Sequence, residues 1–207
     1  SPLFPDDELI ISDDGSTDKT LQIIESIDDV RIKLVSSRSS GVISNFENAL
    51  NYVSGEVVVL CDQDDVWLPS RLNVALNLLK SNDLVMVDYK VVGSNLQPIE
   101  GRPPAPSLSI LKTFLRNGYL GCCMAFRASV LPHVLPFPKK IAMHDWWIAL
   151  VCLLKFRVEL SSSEGVLYRR HASNASSTGS RSKFSLWTKI SMRLNMLLAL
   201  SKRLKFL

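Results

Sequence analysis

Short runs of aliphatic residues alternate along the chain with stretches in which apolar residues recur every three or four positions. The first pattern is typical of buried strands and the second of amphipathic helices. Together they predict strands over residues 7–12, 30–34, 56–60, 84–92, 121–126 and 165–171, and helices over residues 21–27, 42–53, 72–79, 108–117, 144–156 and 184–207. Strands that alternate with helices predict βαβ units, and therefore an α/β fold whose mixed, mostly parallel sheet is flanked by helices.

The strand predicted over residues 56–60 runs directly into an acidic loop. Its consecutive aliphatic residues predict burial on both faces, and the loop after it contains Asp62, Asp64 and Asp65. Open α/β sheets bind ligands at the carboxyl ends of their strands, and carboxylates this close repel one another unless a cation lies among them. Oxygen ligands of this kind suit Mg²⁺ or Mn²⁺. The simpler interpretation is a solvated turn in which Asp65 caps the next helix.

A second acidic turn follows the first predicted strand. Asp13 and Asp14 come at its end and precede Gly15, a turn residue. Because the carboxyl ends of parallel strands lie on the same edge of a sheet, the sequence predicts that both acidic loops face one cleft. A calcium-binding loop is the rival interpretation, but neither stretch has the Asp-x-Asp-x-Asp-Gly spacing of an EF-hand with its following Glu.

Charge is distributed unevenly along the chain. The net charge is +4, yet residues 165–207 contain nine Lys and Arg and no acid, whereas residues 1–164 contain 15 basic and 20 acidic residues. A basic tail on an acidic body predicts an anionic partner for the tail, either phosphate groups or a membrane surface.

The tail also has a helical pattern of its own. Six apolar residues gather on one face of the helix predicted over residues 184–207: Leu186, Trp187, Ile190, Leu194, Leu197 and Leu198. An amphipathic helix of basic composition is typical of segments that rest on anionic lipid, which predicts peripheral membrane contact. The alternative is a helix that packs on the body or on a second subunit.

Length and cysteine usage bound the class of protein. At 207 residues the chain is long enough for one sizeable core. Its longest apolar run, residues 146–154, is too short to span a bilayer, and no signal peptide is visible at its start. Cys61, Cys122, Cys123 and Cys152 lie in apolar contexts without Cys-x-x-Cys spacing, which predicts reduced core thiols and a cytoplasmic protein.

Five ordered motifs resemble those of the family 2 glycosyltransferases of GT-A fold, the Rossmann-like fold of nucleotide-diphospho-sugar transferases. The motifs are Asp13-Asp14-Gly15-Ser16, Asp62-Gln63-Asp64-Asp65, Gly121-Cys122-Cys123, His144-Asp145-Trp146-Trp147 and Tyr168-Arg169-Arg170-His171. Within the family the chain is similar to rhamnosyltransferase-like bacterial enzymes that build O-antigen and capsule glycans. The resemblance implies a GT-A domain over residues 1–175, followed by a Ser-rich linker and the basic amphipathic helix over residues 176–207.

The resemblance also implies a role for each charged motif residue. Asp13 and Asp14 would contact the nucleotide base or ribose. Asp62 and Asp64 match the family's Asp-x-Asp pair, with Asp64 the more direct metal ligand and Asp62 nearer the ribose. The implied nucleotide-sugar-binding residues are Asp13, Asp14, Asp62 and Arg170, and the implied ligands of a Mg²⁺ or Mn²⁺ cofactor are Asp64, Asp62 and His171.

Asp145 matches the position of the family's general base, the group that removes a proton from the acceptor hydroxyl. Its alternative role is to cap the helix that begins at Trp146, and the two roles can coexist. The alternative for His171 is a surface histidine.

The motifs therefore predict a metal-dependent, inverting glycosyltransferase that moves a sugar from a nucleotide-diphosphate donor to a glycan or lipid-linked glycan acceptor. The resemblance places that reaction in cell-surface polysaccharide synthesis, without a nucleic-acid partner. The alternative of a different class is a non-catalytic protein that binds nucleotide sugars. Nucleotidyl transfer would need a Gly-rich phosphate loop near the start, and none is present.

The family also begins with a strand well before the Asp-Asp-Gly-Ser loop, and only twelve residues precede Asp13. This difference predicts a nucleotide pocket without one of its central strands.

Overall fold

A computed structural model describes residues 4–37, 40–171 and 185–204. Its strands are β1 (Leu9–Asp13), β2 (Ile32–Ser36), β3 (Val57–Val59), β4 (Val66–Trp67), β5 (Leu84–Val92), β6 (Met124–Arg127) and β7 (Val158–Arg169). Its helices are α1 (Thr20–Glu25), α2 (Val42–Leu50), α3 (Arg71–Leu79), α4 (Ile110–Leu115), α5 (Leu131–Val134), α6 (His144–Lys155) and α7 (Leu186–Leu204). Every strand and helix predicted from the sequence has a counterpart here, and β4 and α5 are additional. Most of the predicted Ser-rich linker, residues 176–184, lies outside the described residues.

The described strands form two sheets. β1 and β2 pair in parallel, with Leu9 opposite Ile32 and Asp13 opposite Ser36. The larger sheet has five strands in the order β3-β6-β5-β7-β4, in which β5 and β7 are parallel and the other neighbours are antiparallel. Among the described strands, β1 pairs only with β2 and β3 only with β6, so no strand ladder joins the two sheets.

Polar side chains connect the smaller sheet to the rest of the molecule. The Glu8 carboxylate, just before β1, accepts hydrogen bonds from the backbone N–H groups of Ser54 at 2.7 Å and Gly55 at 3.0 Å, just before β3. On α2, the Asn45 side-chain amide donates to the backbone oxygen of Ser12 at 2.9 Å. These bonds fix the end of β1 relative to α2 and to the turn that leads into β3.

β5 and α6 form the centre of the hydrophobic core. β5 has a neighbour on each side, and residues 84–87 are almost fully buried. α6 is buried without interruption from His144 to Cys152, which is typical of a helix that is apolar all round. The indole N–H of Trp147 donates to the backbone oxygen of Val134 at 2.9 Å, so even this large polar side chain is satisfied. A rigid α6 fixes the position of Asp145 in its first turn.

α7 packs on the body along one face and exposes another. Met196 and Leu200 join the core, and Arg203 donates to the backbone oxygens of Leu135 and Pro136 at 2.6 and 2.5 Å. Trp187, in contrast, is 80% exposed. Of the two interpretations that the sequence left open, packing on the body is therefore observed, and membrane contact stays a prediction for the exposed face. None of the helices in the described ranges has the length and hydropathy needed to cross a membrane.

Three local expectations are wrong. β3 lies at an edge of the five-stranded sheet, so only Val58 is buried and the strand is not covered on both faces. β7 begins at Val158, well before the predicted residue 165. The prediction missed its first half because three serines and Glu164 interrupt the apolar pattern there. Cys61 is exposed, although all four cysteines are free as predicted.

Candidate active site

Four carboxylates converge where the acidic loop between β3 and β4 meets the start of α6. Burial of Asp62 raises its pKa to about 7, and the charges of Asp65, Asp64 and Asp145 add to that effect. A pKa this high means that burial and the other carboxylates disfavour the ionised form of Asp62 more than nearby donors and cations favour it. The loop is therefore a cluster of carboxylates whose charge its surroundings balance only in part.

Asp64 is in direct contact with His171. The imidazole Nε2 lies 2.8 Å from the Asp64 Oδ2, and both side chains are partly buried. The contact exists because β4, which follows the acidic loop, pairs with β7, and His171 follows the end of β7. Two of the three predicted metal ligands are thus adjacent, and His171 is more than an isolated surface histidine.

Asp65 belongs to the same cluster and does not cap a helix. α3 begins at Arg71 after Ser70, with no side-chain cap. Instead the Asp65 Oδ1 accepts the backbone N–H of Arg169 at 2.8 Å, while its buried Oδ2 has no hydrogen-bond partner among the described residues. Burial raises the pKa of Asp65 as well. The sequence placed Asp65 in the acidic cluster, with a helix cap as the simpler interpretation, but the resemblance gave it no role of its own.

The donor groups of this cluster fit a hard divalent cation. Asp62, Asp65 and Cys122 each offer one ligand atom, and the three atoms lie within 4.8 Å of one another. A hydrogen bond with Cys123 and burial raise the pKa of the Cys122 thiol well above its usual value, so it stays protonated and is a poor ligand. Carboxylate oxygens remain, and these suit Mg²⁺ or Mn²⁺.

A buried arginine lies behind the acidic loop. Arg71 is 1% exposed, its Nη2 donates to the backbone oxygen of Leu60 at 2.9 Å, and its guanidinium lies 4.5 Å from the centre of the Trp67 ring. Its charge lowers the pKa of Asp62 and Asp65, but less than burial raises it. Sequence analysis missed Arg71. The available signal was a cation in the first turn of a helix, where the helix dipole disfavours it.

Asp145 lies at the other side of the cluster, in the first turn of α6. It is 7% exposed, and its Oδ1 accepts hydrogen bonds from the backbone N–H of Trp146 at 2.5 Å and the side-chain amide of Asn117 at 3.3 Å. Burial raises its pKa to about 6. The helix begins one residue earlier, at His144, so Asp145 lies inside the first turn and does not cap the helix.

The loop after β1 is organised differently. Asp13 accepts the backbone N–H groups of Gly15 and Ser16 at 2.9 and 3.0 Å and the Ser16 hydroxyl at 2.5 Å, and these bonds from Ser16 lower its pKa. Gly15 adopts φ +91°, which favours glycine. The Asp14 Oδ2 accepts the backbone N–H of Gly41 at 2.7 Å, directly before α2.

α2 lies between this loop and Asp145. Its Phe46 stacks on the ring of His144, the residue before Asp145, with ring centroids 4.0 Å apart. Arg170, the remaining predicted site residue, precedes His171, and its guanidinium lies 5.8 Å from the centre of the Tyr168 ring. The structure thus groups Asp62 with Asp64 and Asp145, and Asp64 with His171. Asp14, with Asp13 beside it, lies instead at the start of α2, where it contacts Gly41.

Comparison with known proteins identifies the family to which this fold belongs. A family model described as glycosyl transferase family 2 matches residues 3–135. An Escherichia coli UDP-Glc:alpha-D-GlcNAc-diphosphoundecaprenol beta-1,3-glucosyltransferase, WfgD, is 28% identical over 144 residues, which are 67% of this chain and 56% of the relative. A Campylobacter jejuni GalNAc(5)-diNAcBac-PP-undecaprenol beta-1,3-glucosyltransferase is 37% identical over 84 residues, which are 39% of this chain and 26% of the relative. The chain spans about half the length of the first of these relatives.

Solved structures show the same fold. Staphylococcus aureus TarS 1–349 in complex with UDP-GlcNAc superposes with a TM-score of 0.68 at 20% identity, over 92% of this chain and 57% of that one. The Pyrobaculum calidifontis mannosyltransferase PcManGT in complex with GDP-Man and Mn²⁺ gives a TM-score of 0.54 at 20% identity, over 75% and 45% of the two chains. The predicted GT-A fold is confirmed. Since the family model also covers more than half of the sequence, the chain belongs to glycosyl transferase family 2.

Proposed function

We propose that this chain transfers a sugar from a nucleotide-diphosphate donor to a glycan or lipid-linked glycan, with inversion at the anomeric carbon and a divalent metal ion as cofactor. One observation carries the proposal. Asp145 lies close enough to the acidic loop for its charge to raise the pKa of Asp62. A base carboxylate beside a cluster of metal-binding carboxylates is the arrangement that such a transfer needs.

The donor would be held at both ends. Asp13 and Asp14 are available to accept hydrogen bonds from a nucleobase N–H or ribose hydroxyl, since a carboxylate has more acceptor sites than their present contacts use. Asp62 lies nearer the ribose and the diphosphate. The guanidinium of Arg170, next to His171, supplies charge-assisted hydrogen bonds of the kind that phosphates accept.

Asp62 and Asp65, whose oxygens lie close together, and Asp64 and His171, which are in contact, would hold the Mg²⁺ or Mn²⁺ ion. When bound, the ion would neutralise the charge that develops on the leaving diphosphate. It would also add to the positive charge of Arg71, which does not offset the effects of burial and neighbouring carboxylates on the pKa of Asp62. The chain's own contribution is to keep Asp64 and His171 in contact and to keep Arg71 behind the loop.

Asp145 would act as the general base. The acceptor hydroxyl attacks the anomeric carbon opposite the diphosphate, the bond to the diphosphate breaks with its electron pair, and the hydroxyl proton passes to the Asp145 carboxylate. A pKa of about 6 keeps Asp145 ionised at neutral pH yet makes it more basic than an exposed carboxylate. Asn117 and the Trp146 N–H hold its Oδ1 in place.

The relatives suggest the class of acceptor. The names of the E. coli and C. jejuni relatives describe acceptors in which a sugar is linked through diphosphate to undecaprenol. We therefore propose a lipid-diphosphate-linked glycan as acceptor for this chain. The rhamnosyltransferase-like resemblance of the motifs stays a prediction, since both of those names describe glucosyltransferases.

A transfer assay tests the function. The full chain is incubated with UDP-, GDP- or dTDP-sugars and a GlcNAc-diphosphoryl lipid, in the presence of Mn²⁺, Mg²⁺ or EDTA. The mass of the lipid product is then measured by mass spectrometry. We expect a product one sugar heavier from at least one donor with a metal ion and none with EDTA. Nucleotide-sugar binding without transfer from any donor would instead support a non-catalytic binding protein.

α7 would bring the cleft to the membrane where such an acceptor resides. Arg193 of α7 donates a hydrogen bond to the backbone oxygen of Leu115 at the end of α4. Ile190 and Leu197 lie three and four residues from Arg193, on the same side of α7, so the exposed apolar residues of α7 continue toward α4. On α4 and just before it, Leu108, Leu111 and Leu115 are more than half exposed. Together they form an apolar surface on a basic segment, which suits an anionic bilayer.

Liposome flotation tests this contact. Replacing two exposed α7 residues, in the variant Trp187→Ser with Leu194→Ser, should lower partition onto vesicles with anionic lipid by about tenfold. The matched control is Val30→Ser, which removes an apolar side chain that is 99% exposed elsewhere. Equal flotation of the two variants would contradict membrane contact through α7.

A further inference from the structure

A large cavity lies beside the candidate site and not within it. Its volume is about 1070 Å³, and it opens between the start of α2, the loop after α5 and the last turns of α7. Ligand pockets in proteins have volumes of roughly 300–1,000 Å³, so this one is large enough for a substantial ligand. None of the predicted site residues lines it, so the function proposed above does not use it.

Two residues connect the cavity to the candidate site. Gly41 lines it and donates its backbone N–H to Asp14. Met143 lines it from the other side and lies two residues before Asp145, the proposed base. Met143 therefore connects the cavity wall to the start of α6, which contains Asp145.

The cavity wall is mostly apolar. Val42 and Ile43 contribute from α2, Ala199 contributes from α7, and the loop after α5 adds Pro136 and Phe137. Phe137 is itself fixed, since its backbone N–H donates to the Glu47 carboxylate at 3.1 Å. That bond engages Glu47, the one acidic residue among the described residues that line the cavity. The remaining surface suits an aliphatic or isoprenoid chain.

The rim is basic. Lys139, Lys202 and Arg203 line it from two separate elements. Arg203 is held by the backbone oxygens of Leu135 and Pro136, and it keeps its positive charge there. Lys139 and Lys202 are exposed and form no ion pair with any residue that the structure describes. Two free ammonium groups at the mouth of an apolar cavity match a diphosphate attached to an apolar chain.

We propose that this cavity binds the lipid diphosphate of the acceptor, with the first units of the lipid chain against the α2 and Phe137 wall and the diphosphate between Lys139 and Lys202. The inference rests on the proposed function and adds to it where the acceptor binds. The sugar that follows the diphosphate would extend past Met143 toward Asp145. α7 serves both purposes, because one flank carries Lys202 and Ala199 while the other carries the apolar residues proposed to meet the membrane.

Binding of farnesyl diphosphate to the full chain tests the site. Calorimetry in EDTA with saturating UDP removes metal-mediated binding of a diphosphate at the acidic loop. The double variant Lys139→Ala with Lys202→Ala should weaken binding by about tenfold or more, because a charged hydrogen bond to phosphate is lost at each position. The matched control is Lys140→Ala, which removes the neighbouring exposed lysine that does not line the cavity, and it should change affinity by less than about twofold.

Two further measurements complete the test. Val42→Trp, which fills the cavity from an exposed position, should abolish binding of farnesyl diphosphate while UDP binding with Mn²⁺ is kept. Inorganic pyrophosphate and farnesol, used separately, should each bind at least tenfold more weakly than the intact probe if both parts of the cavity contribute. The proposal is overturned if wild type does not bind farnesyl diphosphate, if pyrophosphate binds equally well, or if Lys140→Ala matches the double variant.

The transfer assay separates this inference from the proposed function. Wild type that binds the lipid diphosphate through these lysines but transfers no sugar would contradict the enzyme proposal and leave the cavity as a lipid-diphosphate site. Transfer with the same KM for the lipid acceptor in the double variant would contradict the cavity proposal and leave the enzyme proposal intact. In the expected result, that KM rises about tenfold and the KM for the donor is unchanged.

Discussion

The two acidic loops look alike in the sequence and differ in their electrostatics. Each follows a strand and contains adjacent aspartates. In the loop after β1, hydrogen bonds from Ser16 lower the pKa of Asp13. In the loop after β3, burial and three other carboxylates raise the pKa of Asp62 to about 7. Hydrogen bonds within the first loop stabilise its charge, whereas Arg71 balances the charge of the second only in part, and a proton or an external cation would balance the rest.

The difference indicates two functions for loops that share one sequence pattern. A carboxylate held by its own loop is a pre-positioned acceptor for a neutral donor group, such as a ribose hydroxyl. Carboxylates that are buried together without donors form a cation site. If this distinction is correct, substitutions in the second loop change metal-dependent properties, whereas substitutions in the first change metal-independent ones.

The largest effect is expected at Asp145, which completes the charged cluster of the second loop. Asp145→Asn keeps an oxygen that accepts from Trp146 but cannot take a proton, so turnover should fall by about 10²-fold or more while donor affinity stays nearly constant. Steady-state kinetics and calorimetry with the donor measure the two quantities. The control is Asp28→Asn, an exposed carboxylate between α1 and β2 that should leave turnover unchanged. Loss of donor binding alone, with normal turnover at saturation, would make Asp145 a structural residue.

Asp64→Asn should remove the metal dependence of nucleotide-diphosphate binding. We expect UDP affinity in Mn²⁺ to fall by at least about tenfold, to the value that wild type shows in EDTA, because a metal ligand is lost. Titrations of UDP with and without Mn²⁺, together with circular dichroism as a check on folding, make the measurement. Unchanged Mn²⁺-dependent affinity in this variant would exclude Asp64 from the metal site.

The sequence predicted the positions of strands and helices along the chain better than it predicted which strands lie side by side in a sheet. β5 and α6 agree closely with prediction because a buried strand and a buried helix leave clear apolar patterns. β3 was expected to be covered on both faces and instead lies at a sheet edge, since strand order depends on pairings far away in sequence.

The site follows the same rule. Asp64 and His171 are in contact and the charges of Asp64 and Asp145 act on Asp62, but no local pattern in the sequence showed that they would. Arg71 was missed because its importance comes from its position behind the acidic loop, to which α3 brings it. Burial, which sets the pKa of each group, is a property of the assembled fold.

The third prediction concerns pH and stability. Asp62 and Asp145 are harder to ionise in the folded chain than in the unfolded one, with pKa values raised from 3.8 to about 7 and about 6. Their contribution to stability is therefore complete below about pH 4 and is lost progressively as pH rises from there through the folded pKa values of about 6 and about 7. Asp62→Asn should match wild type near pH 3.5 and exceed it in EDTA at pH 8, by on the order of 2 kcal/mol in the free energy of unfolding.

Denaturant unfolding at the two pH values, with EDTA or Mn²⁺, measures this difference. Mn²⁺ should raise the stability of wild type at pH 8 and have little effect on Asp62→Asn, because the ion replaces the missing positive charge only where the carboxylate is present. The first loop provides the opposite case. Asp13 has a lowered pKa, so Asp13→Asn should be less stable than wild type at pH 8 whether or not Mn²⁺ is added. Equal responses to Mn²⁺ in all three proteins would remove the distinction between the loops.

The smallest effect is expected at Asp14. Asp14→Asn keeps a side-chain oxygen that accepts the Gly41 N–H, so the connection between the first loop and α2 is preserved. Only the negative charge offered to the nucleoside is lost, and UDP affinity should fall by about fivefold, as for one weakened hydrogen bond. The loss should be the same in Mn²⁺ and in EDTA, because this loop satisfies its charge without a cation. A loss that occurs only with Mn²⁺ would mean that Asp14 belongs to the metal site, and the two loops would then share one function.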